Sequence, residues 1–352
     1  MRRRGVLMVW AAGAVAPAPV WAQASWRRVA VPLYGPEDFV RGFVRGHALP
    51  RARAWQKACG TLAEAMAHAQ ADSGPRGVDE ARSAWKAAAL AWAAVSAVAT
   101  GPLVSRRSAR RIDFQPVRPA LVLRAIDAAP GGADAMDRVG SAAKGLGALE
   151  WLLWAPDAPR NDAARAYARE VANDLRGEAD AVADAFAALA ERELDDDAIA
   201  ASFAEIVNQW IGGLEQLRMQ RLVRPVQDAR TRNARGPVLL RPWSGIDADD
   251  RAARWQALRA LSVFAGADAP PRGQGLLVPI ETNLRGRGLN ALADRLRQGV
   301  LTADASLRAA GGNQSAAMGR AANAIERVKR LSEAELAAAL QVRLSFSDAD
   351  GD

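Results

Sequence analysis

The spacing of apolar positions makes the chain a succession of helices. Pro36, Glu37 and Asp38 suit the first turn of a helix over residues 36–48, and Pro50 predicts its end. A second helix over 52–71 places Trp55, Cys59, Leu62 and Met66 on one stripe. A third over 78–98 carries Trp85, Leu90 and Trp92, and Gly101 and Pro102 close it. Residues 105–119 break the pattern: prolines at 116 and 119 predict an extended connection. A short helix over 120–127 and a Pro-Gly-Gly break lead to a central helix over 133–154. A long amphipathic helix over 161–192 follows, with Tyr167, Val171, Leu175, Val182 and Phe186 inward. Asp195, Asp196 and Asp197 then open a helix whose Ile199, Phe203, Ile206, Trp210, Gly213 and Leu217 have the spacing of a bundle seam; it ends before Pro225. The stretch to Gly245 has no period and reads as a long polar loop containing Pro237, Pro242 and Trp243. Helices resume at 249–264, 288–298 and 316–331, with a Pro/Gly-rich stretch at 269–284. Ser332 and Glu335 form a capping box for a last helix to Val342. Short connections between such helices predict an all-α protein of antiparallel bundles.

One stretch stands out within this pattern. Residues 141–154, SAAKGLGALEWLLW, form the most apolar run after the N-terminal segment and contain a single carboxylate, Glu150. On a helical wheel Glu150 lies about 40° from Leu146, on the same arc as Leu149 and Leu153. It is therefore directed into the core. A buried unpaired carboxylate costs several kcal/mol, so a cation, a metal or hydrogen-bond donors must meet it.

Composition changes the picture in two places. Arg2, Arg3 and Arg4, an apolar stretch and small residues at Ala22 and Ala24 resemble an export signal, so residues 1–24 are expected to be cleaved and the mature chain to be periplasmic. Removing them takes three Arg and no acid, which lowers the net charge from +8 to +5. No later run is long and uncharged enough to span a bilayer. At 352 residues the chain predicts two domains, an N-terminal helical domain over 25–192 and a C-terminal bundle over 193–352. The basic charge comes from Arg scattered among Ala with no nucleic-acid motif, and no nucleic-acid partner is expected. Cys59 is the one cysteine, which excludes an intrachain disulfide and suits a buried small residue.

The same residues exclude familiar chemistry. Only His47 and His68 occur, in no zinc-binding spacing, and G-x-S-x-G is absent. His47, near a predicted helix end, reads as a cap, and His68 as solvated or satisfied within the core. What remains is carboxylate and guanidinium. Asp113, Glu150, Asp348, Asp350 and Asp352 are hard oxygen ligands suited to iron or calcium, and Arg106, Arg107, Arg110 and Arg111 are the expected counter-charges. The alternative is that Asp113 and Glu150 join a buried salt-bridge network and that the tail is solvated.

Three segments resemble the imelysin family. Gly145 to Glu150 followed by Trp-Leu-Leu-Trp is similar to its G-x-H-x-x-E signature, Arg111 to Pro116 is similar to R-I-D-F-W-P, and the end of the chain resembles F-x-x-x-D-G-D. The resemblance implies two all-helical, bundle-like domains with the motif helix near their interface, in an exported protein of a family named for a peptidase and linked to iron uptake. It carries over Arg111, Asp113, Gly145, Gly147, Glu150, Asp350 and Asp352 as candidate ligand-binding positions, with Glu150 the one candidate metal ligand. The chain departs from the pattern at two points: Gly147 stands at the His position and Gln115 at the Trp position. Loss of that His removes a nitrogen ligand or base and leaves room for an imidazole-sized hole beside Glu150, open to water, to an Arg of the 106–111 cluster or to a small ligand.

The resulting expectation is a non-peptidase binding protein associated with iron or metal uptake. Its ligand, a metal or small anion, or an envelope protein partner, would sit near Glu150; iron or another divalent metal is the cofactor class considered, with no catalytic residue named. The alternatives are an imelysin-type metallopeptidase and a degenerate structural or interaction protein without ligand.

Overall fold

The computed structural model describes residues 33–71, 74–266 and 275–344; the expected export signal, Phe346, Asp348, Asp350 and Asp352 lie outside them. The described residues form helices and connecting turns with no strand. The N-terminal half comprises α1 (Pro36–Phe43), a π turn (Val44–Ala48), α2 (Leu49–Ala71), α3 (Pro75–Val95), α4 (Pro102–Ser105), α5 (Ser108–Ile112), α6 (Pro119–Ala128), α7 (Ala133–Asp137), α8 (Gly145–Trp154) and α9 (Asp162–Glu191). The C-terminal half comprises α10 (Asp196–Arg218), a π turn (Met219–Val223), α11 (Arg224–Thr231), α12 (Asp247–Ser262), α13 (Ile280–Gly286), α14 (Asn290–Ala309), α15 (Ser315–Leu331), a third π turn (Ser332–Leu336) and α16 (Ala337–Ala339).

In the first half α2 packs between α3 and α9, and α8 lies against α3 and α9. In the second, α10, α12, α14 and α15 pack on one another. The two bundles share one apolar core, because α12 also packs on α3 and α1 on α10. Tryptophans mark its centre. Trp55, Trp85, Trp151 and Trp210 are fully buried, with Trp55 and Trp92 ring centroids 4.9 Å apart. At the seam, a Cβ on Gly213 of α10 would lie 2.1 Å from the Ala97 carbonyl oxygen, so only glycine lets α10 approach the end of α3 so closely. Side-chain caps start the long helices: the Asn161 carbonyl accepts from Ala164 N–H, and the Asp195 carboxylate accepts from Ala198 N–H.

Several expected boundaries are corrected. Neither Pro50 nor Pro225 ends a helix; residues 36–71 and 196–231 are continuous helical rods, each with a π turn ending two residues before the proline. A proline ring collides with the carbonyl four residues back in a regular α-helix, and the widened turn relieves that collision. The expected 105–119 connection contains α5, and apart from the turn at 106–107 only its second half is non-helical. The expected helix over 133–154 is broken: α7 stops at Asp137, and Lys144 is extended before α8 begins at Gly145 with φ of +77°. A Cβ on Gly145 would lie 2.4 Å from the Ile112 carbonyl oxygen, so this chain reversal requires glycine twice over. Ser332 caps no new helix; its hydroxyl donates to the Val328 carbonyl inside a continuing one. His47 is no helix-end cap either. It is buried in the first π turn, stacked on Phe43, and desolvation keeps its pKa well below the ordinary histidine value, so it is neutral there. His68 is exposed, and burial pushes the Cys59 thiol up to about 12 and makes it inert.

Candidate functional site

α8 is buried from Gly145 to Leu153, and Glu150 is 1% exposed. The group that meets it comes from the other half of the chain. The loop between α11 and α12 folds back so that the Ser244 N–H and hydroxyl both donate to Glu150 Oε1, at 2.9 and 2.7 Å. Arg241 Nη1 stands 3.6 Å from Glu150 Oε2. Asp247, at the start of α12, holds this loop by accepting the backbone N–H groups of Leu240 and Arg241. The Arg241 guanidinium, itself fully buried, covers the Trp85 ring at 5.5 Å and donates through Nη2 to Asp113 Oδ1 at 2.6 Å.

From Asp113 the alternation of charge continues. Its Oδ2 lies 3.8 Å from Arg221 Nη2, Arg221 Nε lies 2.9 Å from Asp250, and Arg254 Nε lies 3.1 Å from the same Asp250 oxygen. The sequence thus runs Glu150, Arg241, Asp113, Arg221, Asp250, Arg254 across the junction of the bundles. Beside it is a cavity of about 170 Å³, lined by Asp113, Gln115, Gln216, Gln220, Arg221 and Arg254 among others.

The carboxyls respond differently to this setting. Burial is the largest influence on all three and would raise each. At Glu150 burial wins over Arg241 and Ser244, and the pKa is raised. At Asp113 the guanidinia of Arg241, Arg221 and Arg254 together overcome burial and lower it. At Asp250 Arg221, Arg254 and Arg241 do the same and bring it to about 2.

Sequence reasoning brought Asp113 and Glu150 to one place but supplied the wrong cations. Arg106 and Arg111 lie in a second network on α9. There Arg106 is paired with Glu178 at 2.7 Å, Ser108 Oγ donates to Glu178, and Arg111 is 2.6 Å from Asp174 and 2.8 Å from Asp137. Lys144 completes it, 3.2 Å from Asp174. Arg107 and Arg110 are exposed. The imidazole-sized hole beside Glu150 is also corrected. A Cβ on Gly147 would lie 3.3 Å from Gln115 Nε2 and 3.5 Å from both the Phe114 carbonyl oxygen and Val117 Cβ, so the 114–117 segment covers that face of α8. The two departures from the imelysin pattern touch: Gln115 occupies the side of Gly147 and donates to Asp113 at 3.2 Å. Gly145 serves the backbone reversal, and Asp350 and Asp352 lie outside the described residues. The residues missed are Arg241, Ser244, Arg221, Asp250 and Arg254. Their only signals were the long polar loop and the acidic first turn at 247–250.

With this geometry in place, comparison with known proteins is informative. The imelysin family model (Peptidase_M75) matches residues 48–349, and the chain belongs to that family. A crystal structure of an imelysin-like protein from Psychrobacter arcticum 273-4 is similar, with a TM-score of 0.72 at 19% identity over 90% of this chain and all of that one. A second, from Parabacteroides distasonis ATCC 8503 and described as a candidate iron-regulated protein A precursor, has a TM-score of 0.65 at 14% identity over 84% of this chain and 92% of that one. At these identities the likeness is one of fold. No curated protein matches.

A metal at Glu150 does not fit the groups present. Both its oxygens face donors, and the guanidinium of Arg241 stands between Glu150 and Asp113 where a bridging cation would have to be. Among the described residues no group of three or more His, Cys, Asp or Glu side chains converges to hold an ion. No described helix is long and apolar enough to cross a membrane.

Proposed function

We propose that this protein is a non-hydrolytic binding protein of the imelysin family, exported to the periplasm and serving iron or metal acquisition, whose ligand is held in the cavity where the bundles meet. The observation that carries the reading is that cavity, whose polar wall pairs Asp113 with Arg221 and Arg254, arginines drawn from helical segments of the C-terminal half. Neither His47 nor His68 lines it, and Gly147 leaves α8 without a base beside Glu150; both points weigh against peptidase chemistry. The leader-like N-terminus supports export, and the structural neighbour described as iron-regulated supports the metal-related role. In this reading the division between the halves falls in the connector after α9, and Glu150 is a structural member of the charge sequence beside the cavity.

The test is genetic and biochemical together. A deletion strain is expected to grow more slowly than its parent under iron restriction and equally in iron-replete medium, and the purified protein is expected to leave peptides intact with and without zinc. Hydrolysis abolished by a chelator and restored by zinc would replace this reading with the metallopeptidase one. Equal growth of the two strains under iron restriction would remove the link to iron.

A further inference from the structure

The cavity beside the charge sequence has a specific arrangement of unused bonding groups. Arg221 is about nine-tenths buried and engages Asp250 through Nε alone; it stands 3.8 Å from Asp113, too far for a hydrogen bond. Arg254 spends Nε on Asp250 and Nη1 on Ser96 Oγ at 3.3 Å. Among the described residues no further hydrogen bond is made by either guanidinium. On the opposite side, Asp113 Oδ1 takes the bonds from Arg241 and Gln115, while Oδ2 accepts none among the described residues although its side chain is only 8% exposed. An acceptor oxygen without a hydrogen-bond partner and two guanidinia with unused N–H groups face one small space. A ligand that completes them exchanges solvent contacts for charge-assisted hydrogen bonds in a partly desolvated setting.

We infer that the cavity is built for a small carboxylic acid carrying a hydrogen-bond donor on the adjacent carbon, an α-amino or α-hydroxy acid. The carboxylate accepts from the open nitrogens of Arg221 and Arg254, which suit it as planar donors, and the neighbouring ammonium or hydroxyl donates to Asp113 Oδ2. Gln115, Gln216 and Gln220 supply neutral amides around the remainder of the ligand. Charge supports the same class. The charged lining is Asp113 against Arg221 and Arg254, so a ligand with one carboxylate for the guanidinia and a donor for the acid is matched, whereas a phosphate dianion would set a second negative charge against Asp113. The lowered pKa of Asp113 agrees, since the neighbouring guanidinia keep that acid ionised at neutral pH.

The inference rests on the cavity being a ligand site, and it is tested apart from the iron-related role by isothermal titration of the full mature chain with four probes: L-serine, L-lactate, acetate and inorganic phosphate. Serine, lactate or both are expected to bind at least tenfold more tightly than acetate, because acetate lacks the donor for Asp113; serine alone identifies the ammonium as that donor, and lactate alone the hydroxyl. Gln216→Glu, a partly buried position at the cavity wall, adds a carboxylate without removing an arginine and is expected to weaken binding at least tenfold at an unchanged melting temperature. Arg254→Gln is expected to lose at least as much, judged only if its melting profile shows that it folds. No saturable binding of serine or lactate, acetate binding as tightly as both, phosphate binding more tightly than both, or undiminished binding in Gln216→Glu overturns the inference. A growth defect under iron restriction that persists alongside any of those results leaves the proposed function standing and removes only this ligand class.

Discussion

Two buried ion networks lie on either side of Ile112, and they are built in opposite ways. The one on α9 is local: Arg106, Arg111 and Lys144 meet Asp174 and Glu178, all within the N-terminal bundle, and two of its three cations keep a third or so of their surface in water. The one at the bundle junction is remote: Glu150 and Asp113 are met by Arg241 and Arg221 from the other half of the chain, all nearly fully buried. A cation that can reach water softens the loss of its partner, and one that cannot must keep it. The difference teaches that the first network fastens a fold already made by neighbouring helices, whereas the second makes the junction depend on paired charge and leaves a polar cavity beside it.

The contrast can be broken most directly at Asp113. Asp113→Asn strands the buried Arg241 and Arg221 together, and urea unfolding is expected to show a loss of about 3–5 kcal/mol. Gly145→Ala acts where the networks meet, because Ile112 sits between Arg111 of one and Asp113 of the other and its carbonyl touches Gly145. Left-handed strain and the collision with that oxygen are expected to cost about 2–3 kcal/mol by the same measurement.

A third test uses acid. The folded pKa of Asp250, about 2, lies below the ordinary 3.8, so its stabilisation is present above pH 3.8 and is lost as pH falls toward 2. The loss is about 2 kcal/mol and should be smaller in Asp250→Asn when unfolding is followed from pH 5 to 2. Glu150 has the opposite sign: its raised pKa means that folding favours its proton, so its contribution is greatest below 4.5 and is lost as pH rises through the folded value.

Smaller effects distinguish the networks further. Glu178→Gln frees Arg106 to turn to solvent and is expected to cost about 1–2 kcal/mol in thermal or urea unfolding. Glu150→Gln is expected to change stability by less than about 1 kcal/mol, because burial already disfavours the charge that the substitution removes. A loss comparable to that of Asp113→Asn would show instead that the two carboxylates hold the junction equally.

The helical class, the long helices α9 and α10 and the burial of Glu150 were legible from apolar period and capping residues alone. Residue chemistry alone offered Asp113 as a companion of Glu150, and the family resemblance carried the same residue over as a site position. The counter-charges were not legible, and the reason is physical: an arginine's partner is set by tertiary docking, and Arg241 lies in a loop with no period, 91 residues beyond Glu150 in the sequence numbering. Nearness in sequence favoured Arg106 and Arg111, which α9 captures with Asp174 and Glu178. Gly147 was read as a vacancy because a missing side chain says nothing of what packs over it, and Gln115 is the residue that does.

The π turn ahead of Pro225 does more than admit a proline. Arg221 lies inside it, two residues after its first position, and carries the guanidinium that faces both Asp113 and Asp250. A helix advances by about 100° per residue, so one residue gained or lost in a turn re-aims everything beyond it by that angle. The turn is therefore a gear tooth: it sets the phase between α10, which is committed to the bundle seam, and α11, which leads into the Arg241 loop. Deleting a single residue there would keep the rod helical and turn the far side of the junction out of mesh with the near side.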